Sequence, residues 1–294
     1  MDFNISEERK KWELPDKEFE QNVNDIFNEL CLMADSNPSP TFVLVGGQAG
    51  SGKSGLVSKK YQELQGNAII IDQDELRTKF PVEKYKQILE KYTEREEFLI
   101  LNPYIAKLIQ TIIEKAKSEN YNIVLESALQ DVAAFEKNTI DLKNNGYRTE
   151  LAVMSVPEIE ANISMLTRYC YYLEKDGFCR RNTRINPNAL PNIRKNIANL
   201  DNPNIFDNIE VYIRGNSKNE LPTKIYSKLE KQYDSPIHAF DAAQMLSLKA
   251  TQSSFHGKYN EIKSILIAHN ETSQLKKLED IKTQFEKSLE GVEL

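Results

Sequence analysis

Several residue types that mark secreted, metal-bound or membrane-embedded proteins are scarce in this chain. There are three cysteines, Cys31, Cys170 and Cys179. Their number is odd and their spacing is not that of a metal site, so they read as reduced thiols rather than a disulfide framework. The three histidines, His238, His256 and His269, are not clustered and read as surface or packing residues. No apolar run approaches the ~20 residues of a membrane-spanning helix. Residues 1–11 are charged and lack the apolar core of a signal peptide. Positive charge is also short: 38 Lys and Arg against 44 Asp and Glu leave a net charge of −6. Binding long nucleic acids requires a surplus of cations to displace counterions. A cytoplasmic protein without membrane or nucleic-acid partners is expected.

Against these absences stands one dense motif. Residues 41–45, Thr-Phe-Val-Leu-Val, form an apolar run, and Gly47-Gln48-Ala49-Gly50-Ser51-Gly52-Lys53-Ser54 follows it after Gly46. The pattern is G-x-x-x-x-G-K-[ST], placed between a buried strand and a helical stretch. Its glycines let successive backbone N–H groups turn inward as an anion nest. The next helix aims its positive end at the same point. Lys53 then reaches the outer phosphates of a nucleoside triphosphate, and the Ser54 hydroxyl holds Mg²⁺. ATP and Mg²⁺ are the expected ligands of residues 47–54.

The remaining pattern alternates strand and helix. Phe19, Val23, Ile26, Phe27 and Leu30 share one helical face within residues 16–33. Residues 68–71, 122–125 and 149–156 read as strands of the buried, parallel kind. Asn102-Pro103 reads as an N-cap followed by proline at the first helical position, opening a helix to about residue 118. Pro157 opens another, with Ile159, Ile163, Leu166, Cys170 and Leu173 as its buried stripe. Residues 209–213 and 224–227 fit a closing hairpin. From about residue 234 the chain reads as helical and polar. The predicted fold is α/β, a mostly parallel sheet flanked by helices. The expected division is an N-terminal helical segment (1–40), a core (41–233) with a lid at about 176–189, and a helical C-terminal extension (234–294).

Ligands in such sheets bind beyond the carboxyl ends of the strands, where Asp72, Asp74 and Glu126 lie. If the strand continues past residue 71, residues two apart face the same way, and Asp72 and Asp74 both look into the crevice. One would serve the metal and the other would take a proton from an attacking hydroxyl; the alternative for Asp74 is an acid in the first turn of a helix. A transferred phosphoryl group also calls for cations. Arg168 faces away from the apolar stripe, and Arg181 falls in the basic stretch after Asp176-Gly177, which reads as the lid. The readings left open are a small-molecule kinase, a kinase of nucleotides or polynucleotide ends, and an ATP-binding interaction module.

Taken in order, residues 45–54, 66–74, 121–126, Gly146-Tyr147, residues 153–157, Arg168-Tyr169 and Arg181 resemble the zeta toxin family of bacterial toxin–antitoxin systems, P-loop kinases of UDP-N-acetylglucosamine. The similarity runs from about residue 18 to 195. It implies that Lys53 and Ser54 bind ATP and Mg²⁺, while the assignment of Asp72 to the metal rests on its place at the strand end. Asp74 would activate the sugar 3′-hydroxyl, Glu126 would hold the sugar nucleotide, and Arg168 and Arg181 would steady the γ-phosphate. It further implies a toxin that blocks cell-wall synthesis and a small helical antitoxin that covers the ATP entrance. Two departures touch the acceptor side. Ser127-Ala-Leu-Gln130 stands where the family often has Gly-Thr-Gly-Arg, and Gln110 stands where it often has a substrate-binding glutamate.

Overall fold

The computed structural model describes residues 4–130, 132–177, 186–215, 220–230 and 233–290. Among these are eleven α-helices and a six-stranded sheet of order β2-β3-β1-β4-β5-β6. The strands are β1 (Thr41–Gly46), β2 (Ile69–Ile71), β3 (Ile123–Ser127), β4 (Arg148–Met154), β5 (Asn208–Ile213) and β6 (Thr223–Ser227). Strands β2 and β3 run parallel, with Ile69 opposite Ile123. Strands β5 and β6 form the expected antiparallel hairpin, with Glu210 opposite Ser227. Val43, Leu44 and Val45 have no exposed surface, as a central strand covered on both faces requires.

The chain divides into two compact units, interleaved in sequence. The first comprises residues 1–45, 57–127 and 134–150. It holds helices α1 (Ile5–Trp12) and α2 (Asp16–Leu30), most of α3 (Lys53–Glu63), and helices α4 (Gln73–Thr78), α5 (Val82–Lys91) and α6 (Glu94–Ser118). Helix α2 buries Phe19, Val23, Ile26 and Phe27 of the face that its periodicity predicts, and Leu30 at its end is half-buried.

Helix α6 departs from the sequence reading. It begins at Glu94, not at Asn102-Pro103, because Thr93 supplies the stronger start. The Thr93 hydroxyl accepts from Glu96 N at 3.4 Å, and the Glu96 carboxylate accepts from Thr93 N at 2.9 Å, a reciprocal capping box. Pro103 is therefore inside the helix, a position that costs about 3 kcal/mol. Its missing N–H leaves the Leu99 carbonyl, four residues back, without a helical donor. Arg9 of α1 donates to that carbonyl through Nε at 2.9 Å. The N-terminal helix thus offsets part of the proline's cost, by about 1 kcal/mol for one such bond. Trp12 Nε1 donates to the Tyr92 hydroxyl at 3.2 Å, and that hydroxyl donates to Glu8, completing the attachment.

The second unit comprises residues 46–56, 128–133 and 151–294. Its helices include α8 (Glu158–Asp176), α9 (Ala189–Leu200), α10 (Pro236–Ala268) and α11 (Thr272–Glu290); helix α7 (Val132–Asn144) falls mostly in the first unit. Helix α8 starts after Pro157 and ends at Gly177, whose φ of 75° closes the C-terminus. Its predicted stripe is buried and meets Phe255, Tyr259, Ile262, Leu266, Leu278, Ile281 and Phe285 of α10 and α11 in one apolar cluster. The rings of Phe255 and Phe285 stack with centroids 3.9 Å apart. The polar faces of the C-terminal helices therefore cover an apolar seam against α8.

Candidate active site

The candidate residues fall in both units. In the second, the phosphate-loop motif leads into α3, whose first residue is Lys53. The loop's shape depends on close approaches that exclude a side chain. A Cβ on Gly46 would lie 2.0 Å from Leu129 Cδ1. Gly50 has φ of 75°, and a Cβ there would lie 2.2 Å from the Ala161 carbonyl oxygen. Buried Gln48 donates from Nε2 to Val156 O at 2.9 Å, tying the loop to the residue before Pro157. The Gln48 carbonyl accepts from Ser51 N at 3.2 Å and from Lys53 Nζ at 3.1 Å. The Ser51 hydroxyl is fully buried and has no hydrogen-bond partner among the described residues. A buried hydroxyl left so costs about 1–3 kcal/mol. An ammonium at a helix N-terminus and a buried hydroxyl with no partner among the described residues are groups that a phosphate oxygen could complete.

Arg168 sits half-buried on α8. Glu160, Ser164 and Arg168 are spaced by four, so they share one helical face. Arg181 and residues 178–185 of the expected lid lie outside the described residues. The segment after β3 is held by α9: Asn196 Nδ2 donates to Leu129 O at 2.6 Å, and Asn192 Nδ2 to Gln130 Oε1 at 3.2 Å. Leu129 adopts φ of 50° and is fully buried, a strained conformation for a branched side chain. Nothing in the local sequence marks it; the signal is tertiary.

The first unit carries Asp72, Asp74, Glu126 and Gln110. Here the geometry corrects one premise: the strand does not continue to Asp74. Strand β2 ends at Ile71, and Asp72 is the N-cap of α4. Its Oδ1 accepts from Asp74 N at 2.8 Å and Glu75 N at 3.4 Å. The physical reason is that a capping carboxylate satisfies helix N–H groups that an extended chain would leave open. Asp74 therefore stands exposed in the first helical turn. Glu126 is half-buried near the end of β3. Gln110 is exposed on α6, and its Nε2 donates to Glu114 Oε1 at 2.9 Å on the same helix.

A pair not singled out in the sequence lies beside Asp74. Arg77, one turn on, is buried with its Nη1 3.7 Å from Glu97 Oε1 on α6. Neither atom has a hydrogen-bond partner among the described residues. The Arg77 guanidinium also covers the Phe98 ring at 4.7 Å. Burial pushes the Glu97 carboxyl up, Arg77 opposes this, and the charges of Glu94 and Asp74 push it further up.

A parallel α/β sheet whose first strand runs into a glycine-rich, lysine-ended turn and then a helix defines a P-loop protein with a kinase-like fold. The zeta toxin family model matches residues 28–228, and the chain belongs to that family. It is 29% identical over 268 residues to toxin zeta of Streptococcus pyogenes, covering 90% of each chain. Against toxin PezT of Streptococcus pneumoniae serotype 4 the identity is 28% over 204 residues, 69% of this chain and 79% of that one. A solved chain of the PezAT chromosomal toxin–antitoxin system of Streptococcus pneumoniae matches the fold with a TM-score of 0.73 at 24% identity, covering 89% of this chain and all of that one. Among the described residues no helix is long and apolar enough to cross a membrane.

Proposed function

We propose that the protein is an ATP-dependent kinase that transfers the γ-phosphate to the 3′-hydroxyl of UDP-N-acetylglucosamine or a related UDP-sugar. It would act in the cytoplasm as a toxin that blocks cell-wall synthesis and be restrained by a small helical antitoxin. The observation that carries the reading is the phosphate loop: Lys53 opens α3, and the unspent Ser51 hydroxyl lies in the same turn. The relatives named as toxins support the biological role.

In this mechanism Asp74 accepts the proton of the sugar hydroxyl. The hydroxyl oxygen forms a bond to the γ-phosphorus as the bond to the β,γ-bridging oxygen breaks. Such base assistance contributes about 10²–10⁴ in rate. Lys53 stays with the charge that moves onto the leaving phosphate, and Arg168 and Arg181 neutralise the transferred group. Ser54 and the Asp72 carboxylate would hold Mg²⁺; both offer the hard oxygens that this ion prefers. When bound, Mg²⁺ neutralises phosphate charge. Glu126 and Gln110 would orient the sugar nucleotide. The departures at residues 127–130 and at Gln110 fall on this acceptor side, which is why the choice among UDP-sugars is the part to test.

The test is incubation with Mg-ATP and a panel of UDP-sugars, followed by mass spectrometry. Wild type should add one phosphate to one sugar nucleotide, and Asp74→Ala should bind ATP but form little product. Equal product from Asp74→Ala would remove Asp74 as the base. ATP binding with no product from wild type would turn the reading to a nucleotide-binding interaction module.

A further inference from the structure

We infer that Arg214 is the positioning residue that holds the phosphate loop in its nucleotide-binding shape. The inference rests on the reading of residues 47–54 as an ATP site. Arg214 directly follows β5, and its side chain is about three-quarters buried, with 27% exposed. The guanidinium bridges two elements. Nη2 donates to the Gly50 carbonyl in the loop. Nη1 donates to Ser164 Oγ at 2.6 Å and lies 3.1 Å from Glu160 Oε1, both on α8. A Cβ added to Gly52 would lie 3.4 Å from Arg214 Nε, so the same cation underlies a second loop glycine.

The consequence follows from peptide geometry. In a trans peptide the carbonyl and the next N–H point to opposite sides of the chain. Pulling the Gly50 carbonyl toward Arg214 therefore turns the Ser51 N–H to the other side, where it now meets the Gln48 carbonyl at 3.2 Å. Glu160 keeps the arrangement charged. Burial pulls the Arg214 pKa down and Glu160 opposes that. The second Glu160 oxygen accepts from Thr251 Oγ1 of α10 at 2.9 Å, which fixes the carboxylate. A planar guanidinium can bond all three acceptors at once; a lysine ammonium keeps the charge but not the fork. Ser164 and Arg168 are one turn apart on α8, so the strut that shapes the loop also carries a candidate γ-phosphate residue.

The experiment compares wild type, Arg214→Ala and Arg214→Lys. Affinities for Mg-ATP and for AMP are measured by competition against a fluorescent ATP analogue, below each variant's melting temperature. ATP places its outer phosphates in the loop and AMP has none to place. The ATP-to-AMP affinity ratio should fall about tenfold or more in Arg214→Ala, the size expected for losing charge-assisted hydrogen bonds. Arg214→Lys should recover part of the affinity and still fall about threefold or more short. A residue that merely stabilised the fold would lower the melting temperature and leave the ratio alone; an unchanged ratio in folded Arg214→Ala overturns the proposal. If that variant does not fold, a wild-type ratio in Arg214→Lys does the same. Failure of wild type itself to bind ATP would bring down the ATP-site reading, and the inference with it.

Discussion

The phosphate loop and the acidic end of β2 are built on different plans. In the proposed function the loop would recognise phosphate with backbone N–H groups, so its role would be a shape. That shape is imposed from outside the motif, by the Ala161 carbonyl, the Leu129 side chain, the Val156 carbonyl and Arg214. The β2 end would work through side chains. Asp74 stands exposed on a helix of six residues, positioned by the Asp72 cap and flanked by the buried Arg77–Glu97 pair. A backbone site cannot be altered at one position without disturbing its neighbours, whereas a side-chain site can change one contact at a time. Of the two departures from the family pattern, Gln110 is a side chain of the second kind, whereas residues 127–130 include Leu129, whose side chain presses on the loop at Gly46.

Four measurements test that contrast. The largest effect is expected for Lys53→Ala, which should lower phosphoryl transfer by about 10²–10³; near-normal turnover would mean that the loop's backbone suffices. Gly46→Ala leaves residues 47–54 intact yet drives a methyl into Leu129. Overpacking of this sort should destabilise by about 1–3 kcal/mol in denaturant titration, and wild-type stability would show that the loop tolerates pressure from its support. Asp72→Ala should cost about 1 kcal/mol through loss of the α4 cap, while Asp72→Asn, an equally good cap, should cost almost nothing. If Asp72 also serves Mg²⁺, Asp72→Asn should lose Mg²⁺-dependent transfer despite its stability; retained transfer would leave Asp72 as a cap.

The smallest effect concerns the α1 attachment. Hydrogen bonds from Lys11 and then Tyr92 hold the Glu8 carboxyl down to about 2, from 4.5. A lowered acid contributes stability above its unfolded value and loses it as pH falls through the folded one. Glu8→Gln should therefore flatten the stability profile between about pH 4.5 and 2, seen in melting curves at each pH. An unchanged slope would show that the attachment does not depend on that charge.

Much was legible where the physics is local. The loop motif, the α2 and α8 stripes and the β5–β6 hairpin all follow from spacing, and the structure bears them out. Asp72-Gln-Asp was ambiguous, because the same residues suit a strand end or a helix cap, and two backbone N–H bonds decide it. Pro103 misled, because a proline usually opens a helix. Here Thr93 caps an earlier start, and Arg9, ninety positions from Leu99, supplies a donor that compensates. Arg214 and Leu129 carried no signal, since their meaning lies in what they touch. The reading of residues 178–185, Arg181 among them, rests on sequence alone, for they lie outside the described residues.

By itself the order of residues determined that a glycine-rich turn would form between a buried strand and a helix, because glycine φ freedom, strand burial and helix polarity act over a few neighbours. Which acid would cap a helix and which would face solvent was decided only when the chain folded. So was the choice of cation to stand beneath the loop, because each depends on carbonyls and carboxylates brought near from distant parts of the sequence.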